Sequence, residues 1–417
     1  MHTLIFRTAY SFFAIAALGA AGCDISSDHD RDRDHGHGHG HGDGGPPPDA
    51  SQPGDGGASI GALSKLAQFD NVPVGVAVSR TGRIFLSFSR AIDEREPYSL
   101  AELVGQAPVL FPPGFRQDGG VPAPDKLLSV QALTVDALDR LWILDTAKVG
   151  QAPIVPGTPK LVAVDLQSNK PIQTIFFPPS VAGPSAMLND VRIDLGKGKA
   201  GTAFLTDSSS SGPNGLVVVD LATGTATRRL NDHPTTKPQP GLVTSSEGQP
   251  LIVRQGPEAG QANHVGSDGI ALDADGHHLY YRPLTSHHLY RVTTDALVDA
   301  SMSDAAVAAA VEDLGDLGFA SDGLLGDAQG RLYLTDYEHN AIHRRNADGT
   351  IEILAQDDQL LWPDSMSLRG DGMLLCTATQ IERSPRLRGT DQRVRPFTVW
   401  QVATDGQPLY LTGSPRP

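Results

Sequence analysis

SDGIALDADGHHLYY, residues 267–281, reads as two short apolar strands joined by a turn that carries Asp275 and Gly276. Apolar residues alternate with period two on either side, and Asp-Gly supplies the backbone a tight hairpin needs. The same plan recurs as VGVAVSRTGRIFLSFS (74–89), QALTVDALDRLWILD (131–145) and, with a longer turn, NDVRIDLGKGKAGTAFLTD (189–207). SDGLLGDAQGRLYLTD (321–336) and PDSMSLRGDGMLLCTA (363–378) complete six copies. Further strands are predicted between them at LVAVDL from Leu161, GLVVVDL from Gly215, HLYRVTT from His288, AIHRRN from Ala341 and FTVWQV from Phe397.

The residues that open the first strands are Val74, Gln131, Asp190, Asp268, Asp322 and Asp364, spaced by 57, 59, 78, 54 and 42. Repeats of this size, each a few antiparallel strands, predict an all-β fold, a six-bladed β-propeller. Radial closure also hides sheet edges that an open array would leave unpaired. A β-sandwich with insertions accounts for neither the count nor the internal similarity. Composition agrees, with 45 Gly, 31 Pro and only 19% charged residues. One short helix is predicted, in the alanine-rich stretch around Thr294–Val311.

Residues 1–23 place Arg7 before an apolar run and end Ala20-Ala21-Gly22-Cys23, the layout of a lipoprotein-type export signal with Cys23 as the lipidated residue. Residues 24–60 are rich in Asp, His, Gly and Pro and lack anything to bury, which predicts a disordered tether. Within it His35, His37, His39 and His41 alternate with glycine, a pattern suited to loose transition-metal binding. Residues 61–417 remain for the propeller. The expected location is the cell envelope, anchored by lipid, with plain secretion as the alternative. A formal net charge of −15 without a basic patch excludes a nucleic-acid binder. Two cysteines exclude a disulfide scaffold and a Cys-based zinc cluster.

First strands of propeller blades line the central channel. Asp190, Asp268, Asp322 and Asp364 are therefore expected to form a ring at one mouth, with Asn189 and Gln131 beside them. Carboxylates converging on one axis repel unless protonated or bridged by a cation. Their oxygens suit calcium, which accepts about six to eight such ligands. The ordinary alternative is that each aspartate caps its own turn. Trp362, next to Pro363-Asp364, is expected to wall the pocket, and His264 to reach the mouth as a base or ligand contact. His277, His278, His287 and His288 read as surface or packing residues, Trp142, Tyr280 and Tyr333 as packing between blades, and Cys376 as buried.

RLWILDT (140–146), LNDVRID (188–194), AFLTDS (203–208), DGIALDADGHHLYYRPLTSHHLYRVTT (268–294), SDGLLGDAQGRLYLTDYEHNAI (321–342) and WPDS (362–365) resemble the royal jelly and yellow protein family, in its bacterial branch. The resemblance covers about 67–402 and implies a six-bladed propeller, without implying a single activity. The insect members' disulfides have no counterpart in this chain. Asn189, Asp268 and Asp322 also resemble the channel ligands of calcium-dependent lactonases and gluconolactonases. That family's first-blade glutamate is missing, since the segment reads Asn71-Val72-Pro73-Val74-Gly75.

GKGKAG (196–201) lacks the closing Lys-Ser/Thr of a phosphate loop, and no GxSxG, HExxH or dinucleotide fingerprint occurs. Two functions survive: a monomeric protein binding a small molecule at the channel mouth, or a calcium-dependent lactonase or related hydrolase or isomerase. For the second, Asp322 or Asp268 is the expected catalytic carboxylate.

Overall fold

The computed structural model describes residues 60–412. The signal-like segment, Cys23, and the tether with His35, His37, His39 and His41 lie outside the described residues. Within them, six four-stranded antiparallel sheets follow one another around an axis, a six-bladed propeller, with a minor two-stranded ladder between blades 3 and 4.

Blade 1 is Val76–Val78, Ile84–Ser87, Leu100–Val104 and Ala107–Leu110. Blade 2 is Val130–Val135, Arg140–Asp145, Lys160–Asp165 and Lys170–Phe176. Blade 3 is Leu188–Asp194, Thr202–Asp207, Gly215–Asp220 and Ala226–Arg229. Blade 4 is Ser267–Leu272, His278–Pro283, His288–Thr293 and Val311–Asp316. Blade 5 is Leu324–Gly326, Leu332–Asp336, Ala341–Arg345 and Ile351–Gln356. Blade 6 takes Pro363–Leu368, Met373–Ala378 and Phe397–Ala403, and its fourth strand, Leu63–Phe69, comes from before blade 1. Phe69 pairs with Phe397 and Leu63 with Val402, so the ring is closed by backbone hydrogen bonds.

Neighbouring blades cover both faces of each sheet, so burial falls outward along a blade rather than alternating. Thr202–Asp207 and Ser267–Leu272 are buried at every position, whereas Ala107–Leu110 is exposed throughout. Between blades 2 and 3, Trp142, Leu161 and Ala163 pack with Val191, Leu205 and Val217. A fully buried side chain of Leu or Val size contributes roughly 1.5–3 kcal/mol. The hairpin turns explain the family-like Asp…Arg-Leu-aromatic pattern. Asp136 accepts from Leu138 N, Arg140 N, Arg140 Nε and Trp142 Nε1. Asp327 likewise accepts from Gln329 N, Arg331 N, Arg331 Nε and the Tyr333 hydroxyl. Those aspartates hold turns together at the opposite end from the aspartate ring.

The predicted single helix is two, Thr294–Val298 and Asp304–Ala309, capped by the hydroxyls of Thr293 and Ser303. Asp299–Ser303 interrupts it, because the Asp299 carboxylate bonds Ser301 locally. After blade 6 the chain crosses the axis. Ala328 N bonds Gln407 O and Leu195 N bonds Leu411 O. Pro408–Leu411 thereby face Val76, Leu133, Ile193, Leu272 and Leu368 of the first strands and close one end of the channel.

Candidate functional site

At the other end, the first strands bulge. In blade 3 Leu188 pairs with Asp207 and Val191 with Leu205. Blade 4 repeats this at Ser267–Pro283 and Ile270–Tyr281, and blade 6 at Pro363–Ala378 and Met366–Cys376. In blade 2 Gln131 alone is passed over. One extra residue breaks the alternation and turns a side chain toward the axis. The equivalent bulge residues are Gln131, Asn189, Asp268 and Asp364. Asn189, not Asp190, is thus the counterpart of Asp268. Alignment by residue type puts Asp190 in phase with Asp268, whereas the paired positions Leu188 and Ser267 make Asn189 its counterpart.

Hydroxyls on the second strands fix the bulges. Thr206 Oγ1 accepts from Asp190 N, Thr335 Oγ1 from Asp322 N and Gly323 N, and Thr377 Oγ1 from Ser365 N. Thr206 then donates to Asp268 O of the next blade, and Thr377 to Val74 O, both at 2.6 Å. Each ring residue is held by its own blade and its neighbour. Blades approach so closely here that a Cβ on Gly323 would stand 2.0 Å from Asp364 O, and one on Gly269 2.4 Å from Asp322 O. The glycines after Asp268 and Asp322 are therefore an inter-blade requirement, not a hairpin one.

All six predicted ring positions, Val74, Gln131, Asp190, Asp268, Asp322 and Asp364, line one small polar cavity, together with Asn189 and Arg192. Asp190 is paired with Arg192 at 3.1 Å. Asn189 donates its amide to Asp268, Asp268 hydrogen-bonds Asp322, and Trp362 Nε1 donates to Asp322 Oδ2 at 2.6 Å. Burial first, then the mutual repulsion of the carboxylates, pushes Asp268 and Asp364 well above the usual carboxylate range. Asp322 is raised to about 7 by burial, with the Trp362 hydrogen bond opposing. Gln131, 6% exposed, has an Oε1 with no hydrogen-bond partner. Asp268 and Asp322 bond a donor from outside their own strand, Asn189 and Trp362, and Asp364 bonds Thr379 of its own blade.

The donors are hard oxygens, which fits calcium in kind, and Gln131 Oε1 is an acceptor without a bond. Among the described residues, however, no three His, Cys, Asp or Glu side chains stand together as a ready metal site. The acids are instead linked by hydrogen bonds. The first blade contributes Val74. Its buried glutamate, Glu96, accepts from Val72 N at 2.8 Å and lines neither this cavity nor the cleft above it.

That cleft has a volume of about 620 Å³. Gln131, Asn189, Asp268, Asp322 and Asp364 form its floor; loops between second and third strands, around Asp93, Lys148, Ser209, Arg386 and Arg393, form its wall with the segment around Glu258 between blades 3 and 4. The wall residues carried no signal in the sequence, since they lie in loops with neither period nor motif. Two expected residues move out of the pocket. His264 is exposed and does not line the cleft, although Asn263 and Val265 do. Trp362 is fully buried, stacked on Tyr337 at 4.2 Å, and reaches the ring only through its Nε1 bond to Asp322. His278, His287 and His288 bond Asp273, Glu338 and Asp313 away from the channel. Burial pushes the Cys376 thiol up.

Residues 128–384, more than half the chain, match the model of the major royal jelly protein family. The chain belongs to that family. Among its relatives, major royal jelly protein 2 of Apis mellifera is 25% identical over 260 residues, 57% of this chain and 51% of that protein. Major royal jelly protein 6 of the same species is 25% identical over 180 residues, 43% of this chain and 38% of that protein. Protein yellow of Drosophila madeirensis is 25% identical over 252 residues, 57% of this chain and 43% of that protein. The matches span about half or less of these relatives, which are insect proteins and give no support to a bacterial branch. Two solved structures share the fold. A luciferin-regenerating enzyme superposes with TM-score 0.51 at 11% identity, covering 84% of this chain and 99% of that one. A protein assigned to the gluconolactonases gives 0.52 at 13%, covering 85% and 95%.

Proposed function

We propose that this family member is a small-molecule hydrolase whose channel floor holds a hard cation, calcium by donor type, and whose substrates are lactones or related esters. One observation carries the reading. Asp268, Asp322 and Asp364 converge, buried and with raised pKa, on the floor of an open cleft large enough for a small molecule. Packing alone gives no reason to gather them. Asn189, Asp268, Asp322, Asp364 and Gln131 would hold the ion, which when bound polarises a carbonyl oxygen.

The chain's own residues supply the rest. Asp322, on the cleft floor beside the ion site, would take a proton from water. The Trp362 bond fixes its orientation, and Asp268 shares its proton with it. The floor excludes bulk water from below because Pro408–Leu411 shut the channel's other end. A binding-only role is the second reading, and Val74 at the first-blade position favours it, since one carboxylate is missing from the ring. Turnover of a lactone panel by the full chain, with calcium and with chelator, tests the choice. Calcium-dependent hydrolysis abolished in Asp322→Asn supports the enzyme. Saturable binding without turnover selects the second reading.

The same proposal places the protein in the cell envelope, as a lipid-anchored product of a bacterial-type signal ending at Cys23. Mass spectrometry of the mature N-terminus checks this: a diacylglyceryl cysteine is expected, and an unmodified terminus elsewhere overturns it.

A further inference from the structure

Four cationic side chains stand on the cleft wall, and three are committed. Arg95 and Arg393 both bond Asp93 and Asp391, and Arg386 bonds Glu258 at 2.7 Å and Asn263. Lys148 makes no hydrogen bond or ion pair among the described residues, although it is half-buried. Asp207 and Glu258 act on it from a distance, yet their oxygens already serve Arg228 and Arg386. Burial pulls its pKa down, with these two acids opposing. A partly desolvated ammonium without a counter-ion is costly to keep.

The loop that carries it is held firmly. Ala147 adopts φ 54°, a left-handed backbone that is uncommon for alanine. Asp145, fully buried, accepts from Ala147 N, Leu128 N, Ser129 N and Lys160 Nζ, and Gly150 N bonds Arg90 O. Strain of this kind persists where the surroundings over-determine it. Lys148 is therefore placed on the wall, above the polar floor of the cleft.

We propose that the cleft recognises ligands bearing an anionic group, a carboxylate or a phosphate, at the end remote from the carbonyl that meets the floor, and that Lys148 binds this group. The orientation follows from the wall: Lys148 is the one uncommitted cation there among the described residues, and it receives the anionic end. The carbonyl rests on the hydrolase reading, and the anion site does not.

Isothermal titration of the full chain with gluconate, glucarate, 6-phosphogluconate and neutral sorbitol tests it. Gluconate, glucarate and 6-phosphogluconate, each with an anionic end, should bind about tenfold more tightly than neutral sorbitol. Lys148→Met should erase that advantage and Lys148→Arg largely restore it, with the melting temperature unchanged in both. In parallel, labelling of Lys148 by trinitrobenzenesulfonate, read by peptide mass spectrometry, should be blocked by the anions and not by sorbitol. Protection by only one anion still supports the inference and identifies the group. An advantage that survives Lys148→Met, or labelling that no anion slows, overturns it. Protection of Lys148 in a protein that hydrolyses no lactone sinks the hydrolase reading and leaves the anion site standing.

Discussion

Replacing Asp322 by Asn should make the cation-free protein more stable at pH 8. Asp322 titrates at about 7 in the fold, against 3.8 for an ordinary aspartate. At about 1.4 kcal/mol per unit, ionising it in the folded state costs on the order of 4 kcal/mol. Because the folded pKa lies above the unfolded one, the folded state holds the proton more tightly. Stability is therefore greatest below about pH 4, falls as pH rises toward about 7, and carries the full penalty above that. Asparagine is nearly isosteric, keeps an acceptor for Trp362 Nε1 and turns an amide toward Asp268, so the variant escapes the penalty without opening a cavity. Thermal unfolding in chelator should show a gap of several degrees in favour of Asp322→Asn at pH 8, closing by pH 4. Calcium should narrow it from the other side by stabilising only the wild type. A variant less stable at pH 8, or a gap that ignores pH, would refute the claim that burial and mutual repulsion set the state of this ring.

Chelation should lower the melting temperature of the wild type, and calcium restore it by about 2.7 kcal/mol at a hundredfold excess over Kd; no calorimetric difference would falsify the channel-metal assignment. Asp275→Asn, in an outward hairpin turn where it accepts from His277 N, should leave that response intact. Gly323→Ala should cost about 3 kcal/mol and blunt the calcium response, because Asp364 O is backbone and cannot retreat from the new Cβ. Asp336 is held low by His339 and His343, and His339 is raised chiefly by its bond to Asp336. The His339 contribution is full below about pH 6.5 and fades as pH rises through its folded pKa, whereas that of Asp336 fades as pH falls through its own. Urea unfolding of Asp336→Asn should accordingly show its largest loss near pH 5–6 and a smaller one at pH 8.

Copy number was legible in the sequence because each blade repeats a hairpin whose turn chemistry is local. Asp136 and Asp327 organise their turns with residues two to six positions away, and such short-range patterns survive in a linear reading. Closure by Leu63–Phe69 against Phe397–Ala403 was not legible, since it joins segments more than 300 residues apart. Nor was the wall of the cleft, which Lys148 and Arg386 line from loops that obey no period.

The ring itself was half legible. Aligning by residue type puts Asp190 beside Asp268, whereas counting back from Val191 and Ile270 pairs Asn189 with Asp268. The same bulge in both blades turns those two toward the axis and leaves Asp190 to pair with Arg192. Local pattern and tertiary structure disagree there in several blades, each time at the channel and each time secured by a second-strand hydroxyl such as Thr206 or Thr377. A break repeated at one level, with its own fastening, is more than an irregular strand end. Natural chains depart from their local rules mainly where a site demands it, and here the departure is what turns carboxylates onto the floor of the only large cleft described.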